Sequence, residues 1–276
     1  MTDWLTVCRE ATASVREEIA RLPTRLEREP GQGEGEGGDE TTAIDAAAEQ
    51  AVVERLEALH ADGVDFTLVS EELGTRRYGE DADATVVVVD PIDGSVNAKR
   101  GIPFFSLSIA VAEGPTMADV VFGYVADLGN GEEWTARRGE GACLGGEPLA
   151  GPGPKERIDI LDFEATTTTR IVAHAPPMDG FADRLRVMGS LALSLCHLAA
   201  GRVDAVCSLK PCRSVDVAAA QLLVRERGIA LELPDDPPFD AAPLDLVGRS
   251  RVVGALSAEL CAELARRLGS FEPDAP

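Results

Sequence analysis

The sequence contains very little lysine. Of its 276 residues only Lys99, Lys155 and Lys210 are lysine, and the other basic residues are arginines. With 48 acidic against 26 basic side chains, the chain carries a formal net charge of -22 at pH 7. Because a surface of this charge repels nucleic acids and anionic membranes, we expect neither of them as a partner.

The acid excess also predicts how the protein responds to salt. Screening of like charges is strong at high ionic strength, so we interpret the composition as adaptation to a halophilic, high-salt cytosol. We expect the fold to be lost when salt is removed, because the acidic side chains then repel one another. Circular dichroism in dilute buffer checks this, and a fully folded chain there would contradict it.

Other signals that are absent exclude several classes of protein. No run of about 18 apolar residues occurs, and the N-terminus lacks the basic and then apolar pattern of a secretion signal. We therefore expect no membrane span and a cytoplasmic location. The six cysteines form no Cys-x-x-Cys pair, which favours reduced and mostly buried thiols. The three histidines are scattered, and no Ser-His-Asp arrangement is evident.

Strand and helix patterns alternate along the chain, which predicts an α/β fold. A segment rich in proline and glycine, at 148–158, marks the predicted boundary between two lobes, residues 1–150 and 151–276. We interpret residues 171–173 as a strand. The acidic, glycine-rich stretch 30–38 is predicted to be a mobile loop.

The segment 90–95, with the sequence DPIDGS, is the strongest candidate for a functional site. It follows four β-branched residues that are typical of a strand buried on both faces. Ligands of open α/β sheets tend to bind at the carboxyl ends of such strands, where Asp90 and Asp93 would lie. If a helical turn begins there, the N–H groups of Gly94 and Ser95 can hold a phosphate oxygen. Alone, the segment could equally be a solvated acidic turn.

Three further acidic segments strengthen the evidence for a functional site. Asp45 follows the glycine-rich stretch, Glu71 ends a short apolar strand, and Asp216 lies near the start of a helix. Asp216 taken alone is better explained as a helix N-cap. Taken together with Asp90 and Asp93, these carboxylates form a set of hard oxygen ligands that suits Mg²⁺.

Four segments together resemble the inositol monophosphatase superfamily. DPIDGS at 90–95 resembles its DPIDGT core, with serine for threonine, and LVSEE at 68–72 resembles its GEE segment, with serine for glycine. DETTAID at 39–45 resembles the D-x-x-T-x-x-D segment. DVAAA at 216–220 resembles D-x-A-A-G, with alanine where the glycine would be. Their order and spacing match the family over roughly residues 5–265.

Three details are most similar to the archaeal branch of the family. These are GSVNA at 94–98, GIPFFS at 101–106 and the R-x-x-D arrangement at 213–216. Members of that branch often hydrolyse both inositol-1-phosphate and fructose-1,6-bisphosphate. The resemblance also implies a two-lobed, layered α-β-α-β-α sandwich and a homodimer.

The resemblance further implies the roles of individual residues. Two or three Mg²⁺ ions, or Mn²⁺ in their place, would be held by Glu71, Asp90, the Ile92 carbonyl, Asp93 and Asp216. Catalytic roles would fall to Thr42, Asp45, Glu71 and Ser95. Within that set, Ser95 and Asp45 would orient the attacking water and Thr42 would orient Asp45. The substrate would contact Gly94, Ser95, Gly189, Ser190, Lys210 and Arg213. For Lys210 a surface ion pair is an equally good explanation.

These observations predict a Mg²⁺-dependent phosphomonoesterase that acts on small sugar or polyol phosphates, with a water activated by the metal. One alternative is a phosphatase of nucleotides of the 3′-phosphoadenosine-5′-phosphate type. Another is a metal-binding regulator that has lost catalysis. The sequence does not rank inositol phosphate against fructose bisphosphate.

Overall fold

An eight-stranded and a five-stranded β-sheet alternate with layers of helices in the computed structural model, which describes residues 2–38, 40–151, 153–164, 167–235 and 238–269. The helices of these ranges are α1 (Trp4–Arg21), α2 (Arg25–Arg28), α3 (Ala43–Ala61), α4 (Ser95–Arg100), α5 (Thr168–His174), α6 (Leu191–Ala199), α7 (Ser214–Glu226) and α8 (Ala258–Leu268). Within these helices no segment combines the length and the apolar character that crossing a membrane requires.

The strands are divided between a hairpin and the two sheets. The hairpin pairs β1 (Gly31–Glu34) with β2 (Glu40–Thr42). The larger sheet has the order β10-β9-β8-β7-β6-β5-β3-β4 and consists of β3 (Phe66–Ser70), β4 (Gly74–Tyr78), β5 (Val86–Asp93), β6 (Ser106–Ala112), β7 (Val120–Asp127), β8 (Glu133–Arg137), β9 (Gly141–Leu144) and β10 (Glu147–Pro148). The smaller sheet has the order β12-β11-β13-β15-β14 and consists of β11 (Ile158–Glu164), β12 (Ala182–Arg186), β13 (Ala205–Ser208), β14 (Ala230–Glu232) and β15 (Val253–Ala255).

Sheets and helices are stacked in the order α-β-α-β-α. Helices α1 and α3 pair on the outer face of the larger sheet. Helices α6 and α7 lie between the sheets, with α7 against the larger and α6 against the smaller one. Helix α8 covers the far face of the smaller sheet. The predicted layered sandwich is thus confirmed. The division into lobes at residue 150 stays a prediction, because α7 comes from the second half of the chain yet packs on the larger sheet.

The valines of β5 show why this strand is apolar without alternation. Val87 and Val89 pack into the core formed with α1 and α3, whereas Val86 and Val88 pack into the core formed with α6 and α7. Because successive side chains of a strand point to opposite faces, a strand covered on both faces needs apolar residues at every position. The prediction of a doubly buried strand is confirmed.

Two local predictions are wrong. Residues 171–173 lie in helix α5 and not in a strand; Thr167 caps the helix by accepting from the N–H of Arg170, and Val172 points outward with 66% exposure. Much of the glycine-rich stretch 30–38 is not an unstructured loop, because Gly31–Glu34 pairs with the strand that precedes α3. Asp39, at the start of one family-like segment, lies outside the described residues.

Candidate active site

A bulge in β5 brings two carboxylates to the same face of the sheet. Residues three apart in a regular strand point to opposite faces. In β5, however, Asp90 pairs with Ser108 and Asp93 with Ser106, so two residues of β5 face one residue of β6. Pro91 sits in this bulge, where a missing N–H does not break the ladder. The extra residue in β5 therefore places Asp90 and Asp93 on the same face of the sheet.

Neighbouring elements add two more carboxylates beside Asp90. Strand β3 runs parallel to β5, and the N–H of Glu71, just past its end, donates to the Val89 carbonyl at 3.3 Å. Asp216 arrives in the first turn of α7, at its third position and not at the predicted N-cap. One carboxylate oxygen from each of Glu71, Asp90 and Asp216 lies within 4.8 Å of the other two. Sequence reasoning had assigned all three to a metal.

Burial makes this group of charges costly. It raises the pKa of Glu71 to about 8, although the guanidinium of Arg213 opposes the shift. It also raises the pKa of Asp90 well above its ordinary value, and the nearby charges of Glu71, Asp93 and Asp216 add to the effect. Carboxylates this close together in a poorly solvated site remain ionised only when a positive charge lies beside them.

Arg213 supplies part of that charge. Its Nη2 lies 2.5 Å from Glu71 Oε1 and 3.3 Å from Asp216 Oδ1, and the side chains involved are 11–14% exposed. One guanidinium offsets one of the three negative charges. The remaining charge and the all-oxygen ligand set suit a divalent, hard cation. The residues therefore fit a metal, and they could hold it between β3, β5 and α7.

Asp93 is oriented differently from the other predicted ligands. Its Oδ2 accepts hydrogen bonds from the hydroxyl of Ser190 and, at 2.8 Å, from the N–H of Ala192, both at the start of α6. Burial raises the pKa of Asp93 to about 6, while the bond from Ser190 opposes the rise. The fourth predicted carboxylate thus links the site to the helix layer between the sheets, and Ser190 serves as the N-cap of α6.

Asp45 is held from one side. Its Oδ2 accepts from the N–H of Thr42 at 2.9 Å and from the Thr42 hydroxyl at 2.5 Å, which forms a capping box at the start of α3. Asp45 Oδ1 is buried without a hydrogen-bond partner among the described residues. The Ser95 hydroxyl does not bind Asp45; it donates to the Ile92 carbonyl at 3.0 Å. The joint role of Ser95 and Asp45 in orienting the attacking water stays a prediction.

The two glycines of the predicted substrate contacts lie against each other. Gly94 has a φ of 95°, and a Cβ there would lie 2.9 Å from the Gly189 carbonyl oxygen. This contact joins the start of α4 to the turn before α6, so the predicted substrate residues Gly94, Ser95, Gly189 and Ser190 form one wall. Lys210 is exposed, whereas Arg213 is directed at the carboxylates.

The hairpin β1–β2 reaches the same place through its turn. The N–H of Gly37 donates to the Glu71 carbonyl at 2.8 Å, and the Gly37 carbonyl accepts from Arg213 and, at 3.2 Å, from Arg249. A Cβ at Gly37 would lie 2.6 Å from Arg213 Nη1 and 3.1 Å from the Glu71 carbonyl oxygen, so a larger residue would have to displace the guanidinium. Sequence reasoning missed Arg249, since nothing nearby in the sequence marks it.

Sequence reasoning also missed a buried pair behind Glu71. Ser70, which replaces the glycine of the GEE segment, is fully buried and donates to Glu49 Oε2 at 2.8 Å. Glu49 is 4% exposed, and its Oε1 is buried without a partner among the described residues. Burial raises the pKa of Glu49 from 4.5 to about 7, although the bond from Ser70 opposes the rise.

Replacing Glu49 with glutamine should remove a pH-dependent loss of stability. Because the folded-state pKa lies above the unfolded one, the wild-type fold loses stability as pH rises from 4.5 towards 7. The raised pKa corresponds to a cost of about 3 kcal/mol above that window. We expect the melting temperature of Glu49→Gln, relative to wild type, to be higher at pH 8 than at pH 5. An equal difference at both pH values would contradict this.

Known proteins share both the sequence and the fold of this chain. The fructose-1,6-bisphosphatase/inositol-1-monophosphatase of Archaeoglobus fulgidus is 33% identical over 256 residues, which cover 92% of this chain and 93% of that protein. The Nus factor SuhB of Salmonella typhimurium is 34% identical over 239 residues, or 83% and 85% of the two chains. A crystal structure of an inositol monophosphatase–fructose 1,6-bisphosphatase superposes with a TM-score of 0.82 at 25% identity, over 96% of this chain and 100% of that one.

The family assignment follows from a match along nearly the whole chain. Residues 4–268 match the model of the inositol monophosphatase family, a range that contains all four of the family-like segments. The match confirms the family and the phosphatase class that those segments predict. The chain belongs to the inositol monophosphatase family.

Proposed function

We propose that the protein is a Mg²⁺-dependent phosphomonoesterase that hydrolyses small sugar or polyol phosphates, inositol-1-phosphate and fructose-1,6-bisphosphate being the leading candidates. The observation that carries the proposal is the convergence of Glu71, Asp90 and Asp216 within 4.8 Å. Family membership supports the reaction class. The named activities of the Archaeoglobus fulgidus relative support the substrates.

The carboxylates would hold Mg²⁺, or Mn²⁺ in its place. Glu71, Asp90 and Asp216 are the first ligands, and Asp93 and the Ile92 carbonyl complete the predicted set. The bound ions would supply Lewis acidity, which activates water and neutralises charge on the phosphate and the leaving oxygen.

Asp45 is the proposed proton acceptor for the attacking water. Thr42 fixes one of its oxygens and leaves Oδ1 buried and without a partner, which suits a group that must accept a proton from a small reactant. Ser95 has a different role in this proposal. By donating to the Ile92 carbonyl it fixes the backbone between Asp90 and α4.

The phosphate would bind where β5 passes into α4. Gly94 adopts the left-handed conformation there, and α4 begins at Ser95. The N–H groups of Gly94 and Ser95 would donate to a phosphate oxygen there. Substrate hydroxyls would contact the wall of Gly189 and Ser190. Lys210, which is exposed, would contact the second phosphate of a bisphosphate substrate.

One observation favours a second candidate function. The Salmonella typhimurium relative is named a Nus factor, not a phosphatase, and its identity of 34% is similar to the 33% of the Archaeoglobus fulgidus phosphatase. A metal-binding regulator without catalysis is therefore the alternative that the experiment must separate. Hydrolysis of nucleotide phosphates is a further outcome. A homodimer and a cytoplasmic location stay predictions.

The experiment is phosphate release in molar KCl with Mg²⁺ from inositol-1-phosphate, fructose-1,6-bisphosphate and 3′-phosphoadenosine-5′-phosphate, with Asp93→Asn as the control. We expect turnover of the first two, lost in the variant, and their ratio of kcat/KM gives the preferred substrate. Release from the nucleotide alone would replace the sugar-phosphate proposal. A folded protein that binds Mg²⁺ but releases no phosphate from any of the three would be the regulator.

A further inference from the structure

Glu164 is a buried carboxylate that the proposed mechanism does not use. It is the last residue of β11, pairs with Ser208 of the parallel strand β13, and is 8% exposed. Both strands end next to the helix layer that contributes Ser190 and Asp216 to the site. Glu164 therefore lies on the side of the smaller sheet, behind the wall of substrate contacts.

Both partners of Glu164 belong to the entry into α6. Its Oε1 accepts from the N–H of Gly189 at 3.1 Å and from the hydroxyl of Ser194 at 2.7 Å. Gly189 is the residue before the N-cap, and Ser194 lies one turn into the helix. A single oxygen thus ties the turn to the first turn of α6.

The same turn holds Asp93 from its other side. Ser190 and Ala192, between the two partners of Glu164, both donate to Asp93 Oδ2. A continuous path of hydrogen bonds therefore runs from Glu164 through the residues around the N-cap to Asp93. Asn97 supports the turn from the direction of α4, because its Nδ2 donates to the Met188 carbonyl at 2.7 Å.

Holding a carboxylate at this position is unfavourable in itself. Asp162, two residues earlier on the same face of β11, is fully buried beside the same Ser194 hydroxyl. Burial and the charge of Asp162 raise the pKa of Glu164 to about 8, and Asp93 adds to the rise. An apolar side chain would fill this buried position at a lower cost in free energy. What Glu164 offers and an apolar residue does not is an acceptor for the hydrogen bonds from Gly189 and Ser194.

We propose that Glu164 is a positioning residue that fixes the Gly189–Ser190 turn and, through it, the orientation of Asp93 towards the metal. The inference rests on the proposed function for the role of Asp93. Its geometric basis, the acceptor shared by Gly189 and Ser194, does not depend on the identity of the substrate.

The test measures Mg²⁺ binding by calorimetry without substrate, and phosphate release as a function of Mg²⁺ concentration. Glu164→Ala removes the acceptor, and we expect both the Kd for Mg²⁺ and the Mg²⁺ concentration for half-maximal activity to rise about 10-fold. Glu164→Gln retains a carbonyl oxygen for the two donors and should stay within about 3-fold of wild type. An unchanged Mg²⁺ Kd in folded Glu164→Ala would overturn the proposal, as would equal damage by glutamine and alanine.

Asp204, immediately before β13, offers a matched control. It is 3% exposed, and its Oδ2 accepts from the N–H groups of Asp159 and Ile160, but it lies outside the path to Asp93. Asp204→Ala should lower the melting temperature and leave the Mg²⁺ Kd unchanged. A weakened Mg²⁺ affinity in this control would mean that any loss of a buried carboxylate has the effect, and would overturn the specific role of Glu164.

Two further measures keep the outcomes distinct. If Glu164→Ala does not fold, Ser194→Ala replaces it, because this variant removes one donor and keeps the carboxylate. We expect Ser194→Ala to raise the Kd for Mg²⁺. An unchanged Kd in this variant would count against the proposal. If wild type binds Mg²⁺ but hydrolyses no phosphate ester, the proposed function fails, while the calorimetric comparison still decides the role of Glu164.

Discussion

Asp90→Asn is expected to lower kcat for phosphate release by about 10³-fold and to raise the melting temperature measured without metal. A Lewis-acid contribution of several kcal/mol corresponds to this loss of rate. The gain in stability follows from the environment of Asp90, which is 2% exposed and lies beside Glu71 and Asp216. Removing one of these charges relieves repulsion that a bound cation would balance in the wild-type chain. Thermal melts with and without Mg²⁺ check both parts.

Asp127 provides the control for this prediction. It is also fully buried, but its Oδ1 accepts from the N–H groups of Gly129 and Asn130 in a turn after β7. Asp127→Asn should leave the stabilisation by Mg²⁺ intact. If Asp90→Asn melted at a lower temperature than wild type without metal, and still gained stability from Mg²⁺, Asp90 would not be a ligand.

Asp45→Asn is expected to lower kcat by 10²- to 10⁴-fold, the usual range for a general base, without weakening Mg²⁺ binding. Asparagine retains one oxygen for the N–H and hydroxyl of Thr42, so the start of α3 should remain capped. The amide nitrogen of asparagine would then take the place of Oδ1, and it cannot accept a proton. Single-turnover phosphate release and calorimetry with Mg²⁺ separate the chemical step from metal binding.

Thr42→Ser is the matched variant, because it keeps the hydroxyl that holds Asp45 Oδ2. Its kcat should stay within about 3-fold of wild type. Full activity in Asp45→Asn would show that another group takes the proton, and Glu71 would then be the next candidate, since the resemblance gives it a catalytic role as well as a metal-binding one.

The carboxylates of β5 show what could be read from the sequence and what could not. The DPIDGS motif predicts that Asp90 and Asp93 act at one place, although a spacing of three residues would put them on opposite faces of a regular strand. The bulge at Pro91 resolves this conflict. A proline inside a central strand is itself a sign of a bulge, so the signal was present in the sequence.

Contacts between distant segments could not be predicted in the same way. Arg213 is predicted to contact the substrate, and the structure shows in addition that its guanidinium pairs with Glu71, 142 residues earlier in the chain. Glu164 carries no motif, and its partners belong to a different element. Side chains that act through such packing have no local pattern, so only the fold reveals them.

The two errors in secondary structure have local causes. Ile171 and Val172 are β-branched, which favours a strand, but the N-cap at Thr167 and the exposure of Val172 belong to a short surface helix. The glycines at 31–37 are typical of flexible loops. Here they permit a close approach, since a Cβ at Gly35 would lie 2.4 Å from Glu72 Oε2. A glycine-rich segment can therefore form a flexible loop or a closely packed hairpin, and the residues that surround it determine which of the two forms.

The most direct test of the account is a crystal of the wild-type protein soaked with Mn²⁺, with anomalous scattering used to locate the ion. We expect a peak at a coordination distance of about 2–2.5 Å from an oxygen of each of Glu71, Asp90 and Asp216. A protein that is active with Mn²⁺ but shows no peak among these three carboxylates, or shows its ion at another site, would contradict the claim that this cluster is the metal centre.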